Sequence, residues 1–307
     1  MGRYIIKRLL ALIPVVIGVS ILVFASLYMV PGDPLSAVLG DAVVSREQAE
    51  ELRKQYGFDQ PIYVQYLQFA GRALQGDLGH SLQFKRPVTE EIWSQLPATI
   101  QLTGAAMLIA IVLGISLGIL AALYRNTWVD TLAMLVALAG VSIPTFWSGL
   151  VLLLIFAVGL NWLPATGTEG FNRLIMPAVT LGYGSAAIIA RLTRSSMLEV
   201  LSQPYISTAR AKGLAEQAIV LQHALKNAII PVITVIGLQF GNLLAGAVIV
   251  ETVFSRQGIG RLLVGAILGR DFPLVQGTVM FVTVLYVLIN LVVDLLYTVI
   301  DPRIEYR

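Results

Sequence analysis

The chain has 307 residues, of which 57% are hydrophobic and 13% charged, with a net charge of +3 and no cysteine. A soluble domain carries about a quarter of its residues charged, so this chain, with mean hydropathy +0.80, reads as a membrane protein whose surface mostly faces lipid. The small net charge gives no support for nucleic-acid binding, and the lack of cysteine excludes disulfides, thiolate metal sites and a cysteine nucleophile.

A membrane span needs roughly 20 apolar residues. The first such run is Leu9 to Val30, preceded by Arg3, Lys7 and Arg8. It is too long for a signal peptide, and no small-x-small cleavage site precedes Pro31. Residues 31–96 follow as a long polar segment carrying both charge signs, in which Gln48 to Leu74 alternates at helical spacing and predicts short amphipathic helices. The second run covers Pro97 to Leu123. The third, Thr131 to Leu160, contains Pro144 and predicts one tilted or kinked span. The fourth begins at Leu174, passes Ile189 and ends at Arg191 and Arg194. The fifth is Ala228 to Val250 and the sixth Val275 to Ile300. The fold class is thus an all-α membrane protein of about six transmembrane helices, with both ends on one side. Arg3, Lys7, Arg8, Arg125, Arg191, Arg194, Arg210, Lys212 and Lys226 gather on the amino-terminal side, which the positive-inside rule makes cytoplasmic. The organisation is then a cytoplasmic amino terminus with the first helix (1–30), an outer segment (31–96) and a five-helix core (97–307).

Between the fourth and fifth runs, residues 199–228 form a polar loop. It reads Tyr205-Ile-Ser-Thr-Ala-Arg-Ala-Lys-Gly213 and continues through His223-Ala-Leu-Lys-Asn227 to Pro231. Two short helical pieces broken at a glycine, in so apolar a chain, are a handle by which a soluble partner could move the membrane part. Gly213 permits a sharp bend. Ala209 and Ala211 permit close approach, Arg210 and Lys212 can meet acids on a partner, and Ile219, Val220 and Leu221 offer an apolar face.

Other motifs carry less. Gly114-Ile-Ser-Leu-Gly118 has the spacing of a hydrolase nucleophile elbow, but neither His80 nor His223 lies in a span, and the two glycines read as a close helix contact. Thr180-Leu-Gly-Tyr-Gly184 resembles an ion filter yet runs straight into a helical stretch. There is no Gly-Lys dipeptide, hence no phosphate loop, so any ATP is bound by another chain. No catalytic, cofactor or metal residues are assigned. Gln239, Asn242 and Asn290 are polar within spans and are candidates to line a path or to bond between helices. Asp294 lies in the last span, where a carboxylate is costly. It is read as the partner of Arg191 or Arg194, with a gating or proton role as the alternative.

Taken in order, these residues resemble the permease subunits of binding-protein-dependent ABC importers, in the branch that takes dipeptides, oligopeptides, glutathione and nickel. The resemblance rests on Leu27-Tyr-Met-Val-Pro-Gly-Asp-Pro34, Gly76-Asp-Leu-Gly79, Ser142-Ile-Pro-Thr-Phe146, Ala190-Arg-Leu-Thr-Arg-Ser-Ser-Met-Leu198, Thr208-Ala-Arg-Ala-Lys-Gly213 with His223-Ala-Leu-Lys-Asn227 and Pro231, Gly258-Ile-Gly-Arg-Leu262, Arg270-Asp-Phe-Pro273 and Asp301-Pro-Arg-Ile304. Ser207 stands where the wider family has a glutamate, which removes one ionic contact. The resemblance implies the type I importer permease fold, with Thr208, Ala209, Arg210, Ala211, Lys212, Gly213, His223, Asn227 and Pro231 in a cytoplasmic coupling loop. It implies an inner-membrane subunit that is no enzyme. Its partners would be a second homologous permease, one or two cytoplasmic ATPases that bind ATP and magnesium, and an extracytoplasmic binding protein. The cargo would be short peptides or glutathione, with chelated nickel as the alternative. An ion-coupled secondary transporter is the rival class; it would usually show inverted repeats, which the sequence does not.

Overall fold

The computed structural model describes residues 2–29, 45, 47, 48, 50, 51 and 59–300. Most of 31–58 and the terminal Asp301-Pro-Arg-Ile304 motif therefore lie outside the described residues. Among those described, the only β-pairing is an isolated bridge between His80 and Pro87, and the rest is helix and turn. That is what lipid demands, because a helix satisfies its own backbone where no water can.

In chain order the helices are α1 (Gly2–Met29), α2 (Ile62–Leu74), α3 (Val88–Leu123), α4 (Trp128–Ser142), α5 (Thr145–Leu152), α6 (Asn172–Leu201), α7 (Pro204–Ala211), α8 (Glu216–Ala218), α9 (Leu225–Val253), α10 (Ile259–Leu268) and α11 (Phe272–Ile300). Wider π-helical turns, Leu153–Gly159 and Ile219–Ala224, follow α5 and α8. Among the described residues five helices are long and apolar enough to cross a membrane, and α4 with α5 and its π-helical turn makes a sixth crossing only as a pair bent by 109°. The expected kinked span over 131–160 is thus two short helices. Pro144 has no N–H to donate and crowds the residue before it, so Ile143 is extended (φ −86°, ψ 125°) and Pro144 caps α5. Thr180 to Gly184 lie inside α6, with no filter loop.

The chain divides into two compact units, residues 1–97 with 258–288 and residues 98–257 with 289–307. In the first, Val88, Ile92 and Leu96 pack on Ile259, Ala266 and Leu274. Asp271 is fully buried there, accepting hydrogen bonds from Ser81 Oγ at 2.5 Å and the Gln83 amide at 3.1 Å.

In the second unit, α6 is the central helix, burying residues from Leu174 to Met197. Its neighbours come close because side chains are missing at the crossings. A Cβ on Gly182 would stand 2.4 Å from the Ala106 carbonyl oxygen of α3. One on Gly118 would stand 2.7 Å from the Ala190 oxygen, one on Gly114 2.8 Å from the Ala186 oxygen, and one on Gly140 2.9 Å from the Tyr183 oxygen. Gly114 and Gly118 are therefore contact glycines. Gly182→Ala is expected to lower the melting temperature in mild detergent, with overpacking of about 1–3 kcal/mol. Gly104→Ala, in open space on α3, is expected to be neutral or slightly stabilising.

Candidate functional site

The polar loop begins where α6 ends. Pro204 opens α7 at a position where its absent N–H costs nothing. At the other end, the Gly213 amide donates to the Arg210 carbonyl at 2.9 Å and the Leu214 amide to the Ala209 carbonyl at 3.4 Å. Gly213 has φ +78°. This is a Schellman cap, and it requires the left-handed backbone that glycine adopts freely. The chain then turns back into α8 and the π-helical turn.

The loop has a buried inner face and an exposed outer one. Ile206, Ala209, Ile219, Val220, Ala224 and Ala228 join Ala122 of α3 and Met197 of α6 in one apolar cluster. Ile219 and Val220 are thus anchors and not the free apolar face expected of them; of that trio only Leu221, half exposed, remains open. Every residue from Arg210 to Gln217 is exposed, as are Tyr205 and Thr208.

Arg210 does not wait for an external acid. Its Nη2 and Nε lie 2.6 and 3.1 Å from the two carboxylate oxygens of Glu216, across the Gly213 turn. This hydrogen-bonded pairing raises the guanidinium above its ordinary value, against a small opposing effect of burial. Lys212 caps α7 and makes no ion pair among the described residues. Asn227 ties the return arm to the outgoing one, donating to Tyr205 Oη at 2.9 Å and to the His223 carbonyl at 3.1 Å. Thr208 Oγ1 bonds only the Pro204 carbonyl, one turn back. Pro231, exposed on α9, takes away the donor that would meet the Asn227 carbonyl in the helix. Tyr205 and Glu216 were not singled out as partners from sequence. Their separations of 22 and six residues match no helical spacing and become contacts only after the turn at Gly213.

The polar span residues separate. Gln239 is buried and accepts from Asn242 Nδ2 at 2.5 Å, a pairing one turn apart on α9, while its own Nε2 has no partner among the described residues. Asn242 itself is exposed, and Asn290 is half-buried on α11.

Arg194, expected with Arg191 as a candidate partner for Asp294, is engaged by another acid. Its Nε and Nη2 each lie 2.7 Å from an oxygen of Asp130, the buried acid in the first turn of α4. Asp130 also accepts the Asn126 amide at 3.0 Å, so both its oxygens are bonded. Arg191 is exposed, and the Asp294 side chain lies outside the described residues.

A fully buried cation went unnoticed in the sequence, where Arg256 counts as a loop charge. It is fully buried, donating to the Thr168 carbonyl at 3.0 Å and to Gln101 Oε1 at 2.7 Å. Burial pulls its guanidinium below the ordinary value and the charge of Glu251 pulls it partly back. Glu251, also fully buried, accepts from Thr99 Oγ1 at 2.6 Å.

Asp130→Asn keeps the shape but removes the charge opposite Arg194. We expect it to destabilise the chain by about 2 kcal/mol, less than a wholly buried pair would lose because Arg194 is partly exposed. Thermal unfolding in detergent, compared with Asp77→Asn as an exposed control, checks this.

Comparison with known proteins bears on the whole chain. Residues 114–306 match the family described as binding-protein-dependent transport system inner membrane component, and residues 1–103 match the amino-terminal region of such membrane components. The glutathione transport system permease protein GsiC of Escherichia coli (strain K12) is 46% identical over 307 residues, covering 100% of both chains. That of Shigella flexneri serotype 5b is 46% identical over the same span and coverage. Among solved structures, an inward-facing MetNI methionine ABC transporter aligns with a TM-score of 0.60 at 18% identity, over 69% of this chain and 96% of that one. An amino acid ABC transporter with histidines aligns with a TM-score of 0.52 at 17% identity, over 70% of this chain and 95% of that one. At those identities the likeness is one of fold.

Proposed function

This chain belongs to the family of inner membrane components of binding-protein-dependent transport systems, and on that premise we propose that it carries short peptides, glutathione among them, across the cytoplasmic membrane as one permease of an ATP-driven importer. It is a transport component and not an enzyme. The observation that carries the reading is a folded-back loop, pinned inside and exposed outside, in a chain 46% identical from end to end to glutathione permeases.

In this reading the loop is the coupling element. ATPase subunits supply ATP binding and hydrolysis, with their magnesium, and grip the outer face presented by Tyr205, Thr208, Ala211, Lys212 and Leu214. Ile206, Ala209, Ile219 and Val220 are packed into the cluster with α3 and α6. A push on the loop therefore moves those helices and is not absorbed by slack. The Arg210–Glu216 pair and the Asn227–Tyr205 bond hold the two arms as one body. That is a rigid-body switch driven from outside the chain.

The loop side is the cytoplasmic side, as the clustering of lysine and arginine supports, which puts both termini there too. A second, homologous permease completes the path. On α9, Leu238, Asn242, Ala245 and Ile249 are exposed along one face at helical spacing, and Asn242, bonded to the buried Gln239 behind it, gives that face polarity where cargo would pass. Asn290 is the candidate for the same path on α11. A cargo-loaded binding protein docks at the opposite end of the spans.

Mild-detergent extraction from the native membrane is expected to recover a second permease and ATPase subunits. The reconstituted complex should then take up labelled glutathione only with ATP and binding protein. Uptake by the chain alone under an ion gradient would overturn the importer reading. Gly213→Pro is expected to abolish uptake while the protein still inserts, since proline fixes φ near −65° and removes the amide that bonds Arg210. Normal uptake by that variant would remove the loop from the mechanism.

A further inference from the structure

Two cavities open within the unit formed by residues 1–97 and 258–288, and α1, α2 and α11 contribute to both. The first, about 630 Å³, has a floor that includes Phe24, Phe69 and Phe272 and a rim that includes Arg72, His80 and Lys85. The second, about 430 Å³, is lined by Val16, Ile17, Leu74, Trp93, Phe281 and Val284 among others. Of its polar liners, Ser20 and Tyr66 bond each other at 2.8 Å and Thr89 is a third; the rest of the lining is mostly apolar. Leu78 lines both, so they adjoin.

Their depths differ in a consistent way. The spans here are Leu10–Met29 and Phe272–Val293. The first cavity touches the end of one and the start of the other, through Leu27 and Phe272. Going from Phe24 to Ile17 along α1, or from Gln276 to Val284 along α11, descends roughly 10–12 Å. The charged cavity therefore lies at the level where a bilayer has headgroups, and the apolar one at the level of acyl chains.

Two cations, Arg72 and Lys85, share the rim with a single acid, Asp77. Among the described residues neither Arg72 nor Lys85 has a carboxylate within ion-pair distance. Asp77, the acidic liner, has one oxygen already accepting the Gly79 amide at 2.9 Å. Lys85 is held in place by its turn. It has φ +54°, its amide donates to the Ser81 carbonyl at 3.0 Å, and Ser81 is bonded to the buried Asp271.

We propose that this unit binds one anionic phospholipid, its phosphodiester at the Arg72–Lys85 rim and an acyl chain in the apolar cavity beneath. Basic residues at headgroup depth attract anionic lipid, and a largely apolar cavity is filled more readily by a hydrocarbon chain than by water.

The test is native mass spectrometry of the assembled transporter released from nanodiscs of equal phosphatidylglycerol and phosphatidylethanolamine. The wild-type complex should retain phosphatidylglycerol in preference. Arg72→Gln with Lys85→Gln should reduce that retention roughly tenfold, while Arg86→Gln, a cation outside the cavity, should not. Ala70→Phe, which intrudes on the apolar cavity, should reduce it in complexes that assemble normally. Equal retention of the two lipids, or undiminished phosphatidylglycerol in the double variant or in Ala70→Phe, would overturn the proposal. So would displacement of the lipid by millimolar glutathione, which would give the rim to a soluble carboxylate. Lipid retention needs neither ATP nor cargo, so failure of the importer reading would appear in uptake and not here.

Discussion

The larger compact unit depends on how closely α6 is approached. At Gly182, Gly114, Gly118 and Gly140 the space a Cβ would fill is occupied by a neighbour's backbone oxygen or side chain. Lipid supplies no hydrophobic drive between helices, so close van der Waals contact has to hold them. Small residues at the crossings allow that contact, and they also make α6 a rigid strut. The loop begins at the end of this strut, which is why a displacement there has somewhere to go.

Buried Asp130, Asp271 and Arg256 are each met by hydrogen bonds, although Arg256 Nε keeps no partner among the described residues. Arg194 meets both oxygens of Asp130, and Arg256 meets Gln101 and the Thr168 carbonyl with Glu251 near by. An uncompensated ion in such surroundings costs several kcal/mol, so each cluster also fixes which segments stay together. Arg194 holds α6 to the start of α4, where the broken pair begins. Arg256 gathers the start of the α3 core, the end of α9 and the stretch before α6. The Asp271 cluster does the same for the turn of residues 81–86 in the other unit. These are positions where one substitution releases several contacts at once.

The loop shows the opposite arrangement, with answered charge at the surface. The Arg210–Glu216 pair is open to solvent, where ion pairs contribute little to stability. Its effect is geometric: it fixes the direction of the turn beyond Gly213 and leaves Lys212 protruding beside it. With the inner face in an apolar cluster, the loop is a shaped surface and not a tether.

Span number, helical class and the loop itself were legible in the sequence, because apolar runs of membrane length and a glycine inside a polar stretch report local physics. Pro144 signalled a disturbance but not its size, since a proline states that a hydrogen bond is lost and not how far the chain then bends; only packing set the 109° between the halves. Gly114 and Gly118 announced a close contact without naming Ile189 and Thr193 as its other side. The ion pairs were the least legible. Arg194 could have met an acid on any neighbouring helix, and residue spacing carries no information across separate helices, so Asp130 was chosen by tertiary structure alone. Arg256 reads as a loop charge until the fold encloses it. Sequence by itself determined which segments enter the membrane and where the chain must turn, because those follow from transfer energies and backbone sterics of neighbouring residues. Tertiary structure decided who answers each buried charge and which face of the loop is left outside, because both depend on residues brought together from far apart in the chain.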